Sequence, residues 1–386
     1  MSGGVPVAFY APLKSPAHPV PSGDRAMARL LLKALAAAGF APELVSELRT
    51  WEPAGEPERQ ARLRESSREE AVRLAARCRS QDRDRRPRLW FTYHSYYKAP
   101  DWLGPVVAEE LGIPYVLAEA SRAGKRARGP FALAHAGAEA ALSAAAVVFA
   151  LTGHDREALE RSPIGGQSIV DLPPFLDLEE WTKFNVAGRP SRPPGRAPRL
   201  LAVGMMRSGD KLASYRELAA ALRRVEAAPW TLDMIGDGAA RAEVESAFAF
   251  ASGRVAFRGL VEDPAELARS YREADLLVWP AVNEAYGMAL LEAQAFGCPV
   301  LAGRHGGVAS AVSPGRSAVL TPPGDVEAFA RELDALLAAP ERLARLSDAA
   351  ERFVAAERTI PAAAAILRSA LAPLLEPSPA CLPCAS

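Results

Sequence analysis

Two glutamates, Glu284 and Glu292, stand eight residues apart in the run Trp279-Pro-Ala-Val-Asn-Glu-Ala-Tyr-Gly-Met-Ala-Leu-Leu-Glu-Ala293. Glu284 falls in a strand-to-helix loop and Glu292 two turns into the helix. Eight residues at about 100° each make about 800°, which returns a helical Glu292 close to the face of the helix start. Gly287 permits close backbone approach. The free N–H groups at the helix start favour an anion or a sugar hydroxyl, and a carboxylate accepts both hydroxyls of a vicinal diol such as ribose. The competing reading is a pair of ordinary surface glutamates.

Cations gather at three other places. Val203-Gly-Met-Met-Arg-Ser-Gly-Asp-Lys211 brings Arg207 and Lys211 beside Gly209 at a strand end. Two converging cations stabilise a leaving diphosphate without a metal; the rival is a solvated turn. Arg122, Lys125, Arg126 and Arg128 share one short segment after a strand. They fit either an anionic acceptor (phospholipid-linked, phosphorylated or uronic) or a solvated basic loop. Residues 59–88 hold 11 arginines against 5 acids, which reads as one or two solvated helices, with peripheral membrane contact as an option.

His94 follows a bulky strand, 89–93, in the run Tyr-His-Ser-Tyr-Tyr-Lys. A strand's carboxyl end opens into the crevice of a parallel sheet, so His94, Tyr96, Tyr97 and Lys98 would line it. The rival is a loop histidine bonded to backbone. Ser22-Gly-Asp-Arg25 opens the first helix, with Asp24 or Ser22 as its N-cap.

These residues need elements to hold them. Apolar runs at 5–10, 41–45, 89–93, 113–117, 147–151 and 168–172 read as strands. Helix patterns at 25–38, 104–111, 131–145 and 155–161 alternate with them. Residues 189–198, Arg-Pro-Ser-Arg-Pro-Pro-Gly-Arg-Ala-Pro, exclude regular structure. The alternation restarts with strands at 200–203, 231–235, 255–258, 276–279, 299–302 and 318–320. Helices follow at 213–227, 264–273, 288–296, 326–338, 341–356 and 361–375. The reading is two α/β units joined by a proline-rich linker, the grammar of open parallel sheets. The expected domains are 1–178, a linker at 179–198, 199–356, and a terminal helix and tail at 357–386.

Composition sets the outer bounds. The chain has 386 residues, 46 Lys and Arg against 46 Asp and Glu, and 49% apolar residues. That argues against wholesale disorder and against a basic nucleic-acid module. No apolar run reaches the roughly 18–20 residues needed to cross a bilayer, and no basic leader precedes the first strand. The four cysteines fit a reducing compartment. Cys381 and Cys384 form a C-x-x-C in a Pro/Ser-rich tail, read as frayed rather than metal-binding.

The run Pro280-Ala-Val-Asn-Glu-Ala-Tyr-Gly-Met-Ala-Leu-Leu-Glu-Ala-Gln-Ala-Phe-Gly-Cys-Pro-Val300 resembles the frame P-S-x-x-E-G-F-G-x-x-x-L-E-A-x-A-x-G-x-P-V of the family-4 retaining glycosyltransferases. Asp233–Gly238, Gly306-Gly307-Val308, Pro322–Asp325 and Pro173–Asp177 match further family segments. The resemblance covers residues 145–355 well and the first 140 weakly. It departs where the family's Pro-Glu is Ala309-Ser310, and where Arg207 is displaced by two positions and Lys211 follows at +4 instead of +5.

The resemblance implies the GT-B fold, two Rossmann-like domains facing across a cleft, with a C-terminal helix that crosses back to the first domain. It implies metal-independent transfer of a sugar from a nucleoside-diphosphate sugar, with retention, and no cofactor beyond that co-substrate. Glu284 would sit by the donor sugar and Glu292 by the ribose. Ala285, Tyr286 and Gly287 would contact the sugar or its phosphate, with Gly236, Gly259 and Leu260 near the nucleotide. Arg207 and Lys211 would hold the diphosphate, and His94 the donor sugar. Arg25, Arg122, Lys125 and Arg126 would face a glycan, lipid-linked or phosphorylated acceptor. The family context is cell-envelope polysaccharide biosynthesis in the cytoplasm, with contact at the inner face of the membrane as an option. A nucleotide-sugar 2-epimerase of the same fold and a non-catalytic sugar-nucleotide or glycan binder remain as alternatives.

Overall fold

The computed structural model describes residues 4–20, 22–184, 195–225 and 229–376. Residues 185–194 of the linker 179–198, and the Cys381/Cys384 tail, lie outside the described residues. The chain divides into two compact units. One holds the residues up to Leu172 together with those from Ile360 on; the other is Pro173–Thr359.

In the first unit the order is β1 (Val5–Tyr10), α1 (Gly23–Ala37), β2 (Phe40–Ser46), α2 (Pro57–Ser80), β3 (Leu89–Ser95), α3 (Gly104–Leu111), β4 (Tyr115–Ala120), α4 (Ala132–Ala144), β5 (Val147–Ala150), α5 (Gly153–Glu160) and β6 (Ser168–Asp171). The strands form one parallel sheet in the order β2-β1-β3-β4-β5-β6. Helices cover both faces, so β4 and β5 are buried along their whole length, as an all-parallel sheet requires. The strand expected at 113–117 lies at 115–120 instead: Gly112, left-handed at φ 62°, caps α3, and Pro114 follows before pairing begins. The arginine-rich stretch forms a single helix. α2 buries Gln60, Ser67, Ala71, Leu74, Ala75 and Cys78 and turns its arginines outward, while residues 81–88 leave the helix.

In the second unit the order is α6 (Leu178–Thr182), β7 (Arg199–Val203), α7 (Asp210–Leu222), β8 (Thr231–Ile235), α8 (Arg241–Ala247), β9 (Val255–Gly259), α9 (Pro264–Glu273), β10 (Leu276–Trp279), α10 (Met288–Ala295), β11 (Val300–Gly303), α11 (Val308–Ala311), β12 (Ala318–Thr321), α12 (Val326–Leu337) and α13 (Pro340–Glu357). Its parallel sheet runs β12-β11-β10-β7-β8-β9, the strand order of a doubly wound dinucleotide-binding fold. The last helix, α14 (Ile360–Leu371), belongs to the first unit. It lies against α1, where Arg368 donates to the carbonyls of Ala37 and Ala38 at 3.0 and 2.9 Å.

Each sheet reverses its winding once, between β1 and β3 in the first unit and between β7 and β10 in the second. Outside the carboxyl ends of those strands a crevice opens, because the flanking connections depart to opposite faces.

Candidate functional site

The crevice of the second unit is built from the loop after β7 and the loop after β10. Gly204 and the two methionines after it leave β7 without regular structure. Gly209, at φ 83°, turns them into α7. Two glycines of the next loop make this path possible. A Cβ on Gly236 would lie 1.9 Å from the Gly204 carbonyl oxygen, and one on Gly238 would lie 2.3 Å from that of Met206. Gly236 therefore serves backbone packing, and its amide donates to Gly259 at 2.8 Å.

The loop after β10 is strained and bolted down. Ala281 and Asn283 take left-handed φ of 61° and 48°, costly for residues with a Cβ. α7 supplies the compensation: Ser214 Oγ accepts from the Val282 amide at 2.9 Å, and Asn283 Nδ2 donates to Asp210 at 2.9 Å. Gly306 passes so close that a Cβ there would sit 2.2 Å from the Glu284 carbonyl oxygen, and the Gly307 amide donates to Ala285 at 2.7 Å.

This scaffold joins Lys211 and Glu284, 73 residues apart. The Lys211 ammonium lies 2.5 Å from Glu284 Oε2, to which the Trp279 indole also donates at 3.1 Å. Lys211 sits 5.4 Å over the Trp279 ring, which packs edge-on against Tyr215. Two residues given separate roles in the sequence thus form one ion pair across the switch point. Arg207 is exposed at its rim, and among the described residues no hydrogen bond or ion pair engages its guanidinium. Gly287, at φ 72°, begins α10; Tyr286 is buried and Ala285 exposed.

Glu292, half-buried on α10, accepts from the Tyr271 hydroxyl at 2.8 Å, leaving Oε1 to accept elsewhere. Burial raises its carboxyl above the ordinary value, and the Tyr271 bond offsets part of that rise. Gly259 is left-handed at φ 71°, and Leu260 beside it is 57% exposed.

The crevice of the first unit holds a different arrangement. His94 and Glu119 are the penultimate residues of β3 and β4, both left-handed at φ 58° and 59°. His94 Nδ1 lies 3.0 Å from Asp24 Oδ1 and 3.6 Å from Glu119 Oε1. Burial alone would lower the His94 pKa, but the Glu119 carboxylate, then Asp24 and Asp155, raise it to about 9. Burial raises Glu119, while the imidazolium holds Asp24 below the ordinary carboxylate value against its own desolvation. Ser22, not Asp24, caps α1, accepting from the Arg25 amide at 3.2 Å. His94 binds carboxylates, not backbone.

Behind β3 a buried network fixes this geometry. Asp101 accepts from Thr92 at 2.6 Å, Tyr115 at 2.8 Å, and the amides of Leu103 and Gly104 at 2.8 and 2.7 Å. Trp90 donates to Thr92 at 2.8 Å, and Ser95 accepts from the Asp101 amide at 3.0 Å.

The expected acceptor-side cations are mostly engaged. Arg122 is held by Glu139 at 2.5 Å and by the Ser162 carbonyl. The Arg126 guanidinium lies 5.3 Å from both the Tyr97 and Phe131 rings. Arg25 donates to the Pro19 carbonyl at 3.2 Å. Lys125 is exposed, and no hydrogen bond or ion pair engages it among the described residues. Sequence reading missed Glu119, Trp279 and Tyr271. Of these only Glu119 left a signal, a lone acid in the apolar strand Tyr-Val-Leu-Ala-Glu-Ala.

Among the described residues no group of three or more His, Cys, Asp or Glu side chains could hold a metal ion, and no helix is long and apolar enough to cross a membrane.

Residues 197–339 match the family model "Glycosyl transferases group 1". The chain is similar to the D-inositol 3-phosphate glycosyltransferase of Streptomyces bingchenggensis, 46% identical over 92 residues that cover 23% of this chain and 20% of the relative. The same-named protein of Thermobispora bispora is 47% identical over 98 residues, 25% of this chain and 23% of the relative. The chain thus spans about a fifth of the length of the curated relatives it matches. Among solved structures, a sucrose-phosphate synthase from Thermosynechococcus elongatus superposes with a TM-score of 0.69 at 21% identity, covering 96% of this chain and 99% of that one. Anabaena HepE in complex with UDP does so with a TM-score of 0.67 at 14% identity, covering 96% and 100%. These establish a two-domain α/β chain of the GT-B fold.

Proposed function

We propose that this chain is a retaining glycosyltransferase that moves a sugar from a nucleoside-diphosphate sugar to an acceptor hydroxyl without a metal ion. The observation that carries the reading is the Lys211–Glu284 pair, 2.5 Å apart across the switch point of a dinucleotide-type sheet, within the segment that matches the group 1 model.

The pair is poised for exchange. A diphosphate arriving at the loop after β7 offers Lys211 a stronger partner than Glu284 and draws in Arg207. Glu284, released, accepts from a donor-sugar hydroxyl, still held by Trp279. Glu292 Oε1 takes the ribose diol, with Tyr271 fixing the other oxygen. As the glycosidic bond breaks, charge grows on the diphosphate, which Lys211 and Arg207 stabilise from fixed positions. The leaving diphosphate takes the acceptor's proton on the same face of the sugar, which accounts for retention. His94, a cation below about pH 9, offers Nε2–H to a sugar hydroxyl in the first unit's crevice.

The site suits a nucleoside diphosphate, and the UDP complex of the structurally similar Anabaena protein makes UDP the first candidate. The test begins with a thermal-shift panel of nucleoside diphosphates and their sugars. A ligand at 100-fold its Kd stabilises by about 2.7 kcal/mol. Transfer is then followed in EDTA, with the anomeric configuration of the product read by NMR. Inverted product, or activity abolished by EDTA and restored by a divalent cation, overturns the corresponding part of the proposal. Donor conversion without an acceptor would mark an epimerase instead.

A further inference from the structure

We propose that the first unit's switch point is an acceptor subsite for a cationic polyol, an amino sugar or aminocyclitol, whose ammonium is received between Asp24 and Glu119. The inference rests on the transferase reading and names its acceptor class.

The first observation is an unmet bond. Glu119 is 7% exposed, and its Oε2 is enclosed without a hydrogen-bond partner. Its other oxygen already faces His94 at 3.6 Å. A buried carboxylate oxygen without a donor costs free energy, and an arriving donor relieves that cost; the same carboxyl is also hydrogen-bonded by the Tyr93 side chain. The donor must enter past Asp24, whose side chain is about a third exposed, 34% against 17% for His94.

The second observation is the sign of the local charge. Asp24 follows β1, Glu119 lies near the end of β4, and Asp155 follows β5. Against these three carboxylates stand the His94 imidazolium and Lys14, which acts on Asp24 from the preceding loop. The cations at the neighbouring tyrosines add to the positive side, Lys98 5.7 Å and Arg126 5.3 Å from the Tyr97 ring. A phosphate brought to His94 meets three carboxylates, whereas an ammonium carries three donors for Asp24 and Glu119. Arg122, one of the expected phosphate ligands, is already neutralised by Glu139.

The third observation is an aromatic wall suited to a sugar ring. Tyr96 lies 5.1 Å from the His94 ring, and Tyr97 lies 5.5 Å from Tyr96, edge to face. Aromatic faces pack against the C–H face of a pyranose or cyclitol, and carboxylates take its polar edge.

The experiment is calorimetric titration of the full chain, with and without saturating UDP, using D-glucosamine, D-glucose and D-glucose 6-phosphate as probes at neutral pH. Glucosamine is expected to bind at least about tenfold more tightly than either of the others, a difference of about 1.4 kcal/mol. Asp24→Asn and Glu119→Gln are each expected to erase that preference while leaving UDP affinity unchanged. Thermal unfolding checks that each variant is folded; should Glu119→Gln fail to fold, the isosteric and more exposed Asp24→Asn carries the test. Preference for glucose 6-phosphate, equal binding of glucose and glucosamine, or an amine preference that survives both substitutions overturns the inference. A chain that binds UDP and shows no amine preference sinks this inference alone. One that prefers glucosamine yet binds no nucleoside diphosphate sinks the transferase reading alone.

Discussion

The two switch points are built from the same geometry and charged with opposite polarity. In the second unit one cation meets one acid: Lys211 and Glu284 neutralise each other, and a second cation, Arg207, stands unengaged at the rim. In the first unit one imidazolium lies between two acids, with a third carboxylate close by. A balanced pair with a spare cation accepts an incoming anion by exchanging partners. An over-acidic cluster with an orphaned oxygen accepts a cation or a hydrogen-bond donor. A doubly wound sheet thus fixes where a ligand binds, while the residues on the loops after its strands decide which charge that ligand carries.

The largest effect separates the units by activity. Lys211→Ala or Glu284→Ala is expected to lower turnover at least about 100-fold, a typical cost of losing one preorganised charge contact. Arg207→Ala should cost less in the resting protein, since it breaks no existing bond, yet should weaken nucleoside-diphosphate binding. Steady-state kinetics of the three variants decide the matter. Near wild-type turnover in both Lys211→Ala and Glu284→Ala would remove the ion pair from the mechanism, and the contrast between the crevices with it.

The next effect is a pH dependence confined to the first unit. The His94 pKa is raised from 6.5 to about 9 by Glu119 and Asp24 against the pull of burial. A raised histidine contributes stability that is complete below its unfolded value and is lost as pH rises through the folded one. Protection of β3 and β4 amides in hydrogen exchange should therefore fall between about pH 6.5 and about pH 9, by an amount on the order of 3 kcal/mol. Any activity that needs the imidazolium should decline over the same alkaline limb. Glu119→Gln removes the principal raising charge and should move that limb to lower pH. A flat profile for β3 and β4 would mean that His94 is not held as a cation.

A smaller effect tests the backbone. Gly236→Ala would place a Cβ within 1.9 Å of the Gly204 carbonyl oxygen, at a φ of 136°. The expected loss is about 2–4 kcal/mol of second-unit stability, since strain and displacement of the β7 loop add. Urea unfolding reads it, and unchanged stability would make Gly236 a ligand contact rather than a packing position.

How far the sequence reveals these sites follows from the range of the interactions. The second crevice is legible because its chemistry sits in one contiguous run, 279–293, whose spacing survives as a pattern. The alternation of apolar runs with Gly-capped helices likewise shows two α/β units. The Lys211–Glu284 bond itself is hidden, because nothing local couples residues 73 apart. In the first crevice the partners Asp24, His94 and Glu119 come from the start of α1 and the ends of β3 and β4, which the strand order alone brings together. Asp24 therefore reads as a helix cap and Glu119 as an oddity within an apolar strand. Arg122 misleads for the same reason, since its partner Glu139 lies a helix away.

The smallest effect concerns Tyr271, which only the structure reveals. Its hydroxyl is the one partner of the Glu292 carboxyl among the described residues, at 2.8 Å, and the ring is fully buried between α9 and the core. Tyr271→Phe keeps the ring and removes the donor. Burial raises Glu292 and the Tyr271 bond lowers it, so the variant's carboxyl should titrate higher still. If Glu292 accepts a ribose diol, it must be ionised and oriented to do so. UDP affinity should then fall about three- to tenfold, with a steeper loss toward acid pH than in the wild type. Stability should change by only about 1 kcal/mol, the usual net value of one such bond. The two readouts separate the roles. A stability loss with UDP affinity intact makes Tyr271–Glu292 a packing contact of α9 on α10. An affinity loss that grows as pH falls places the pair at the nucleotide.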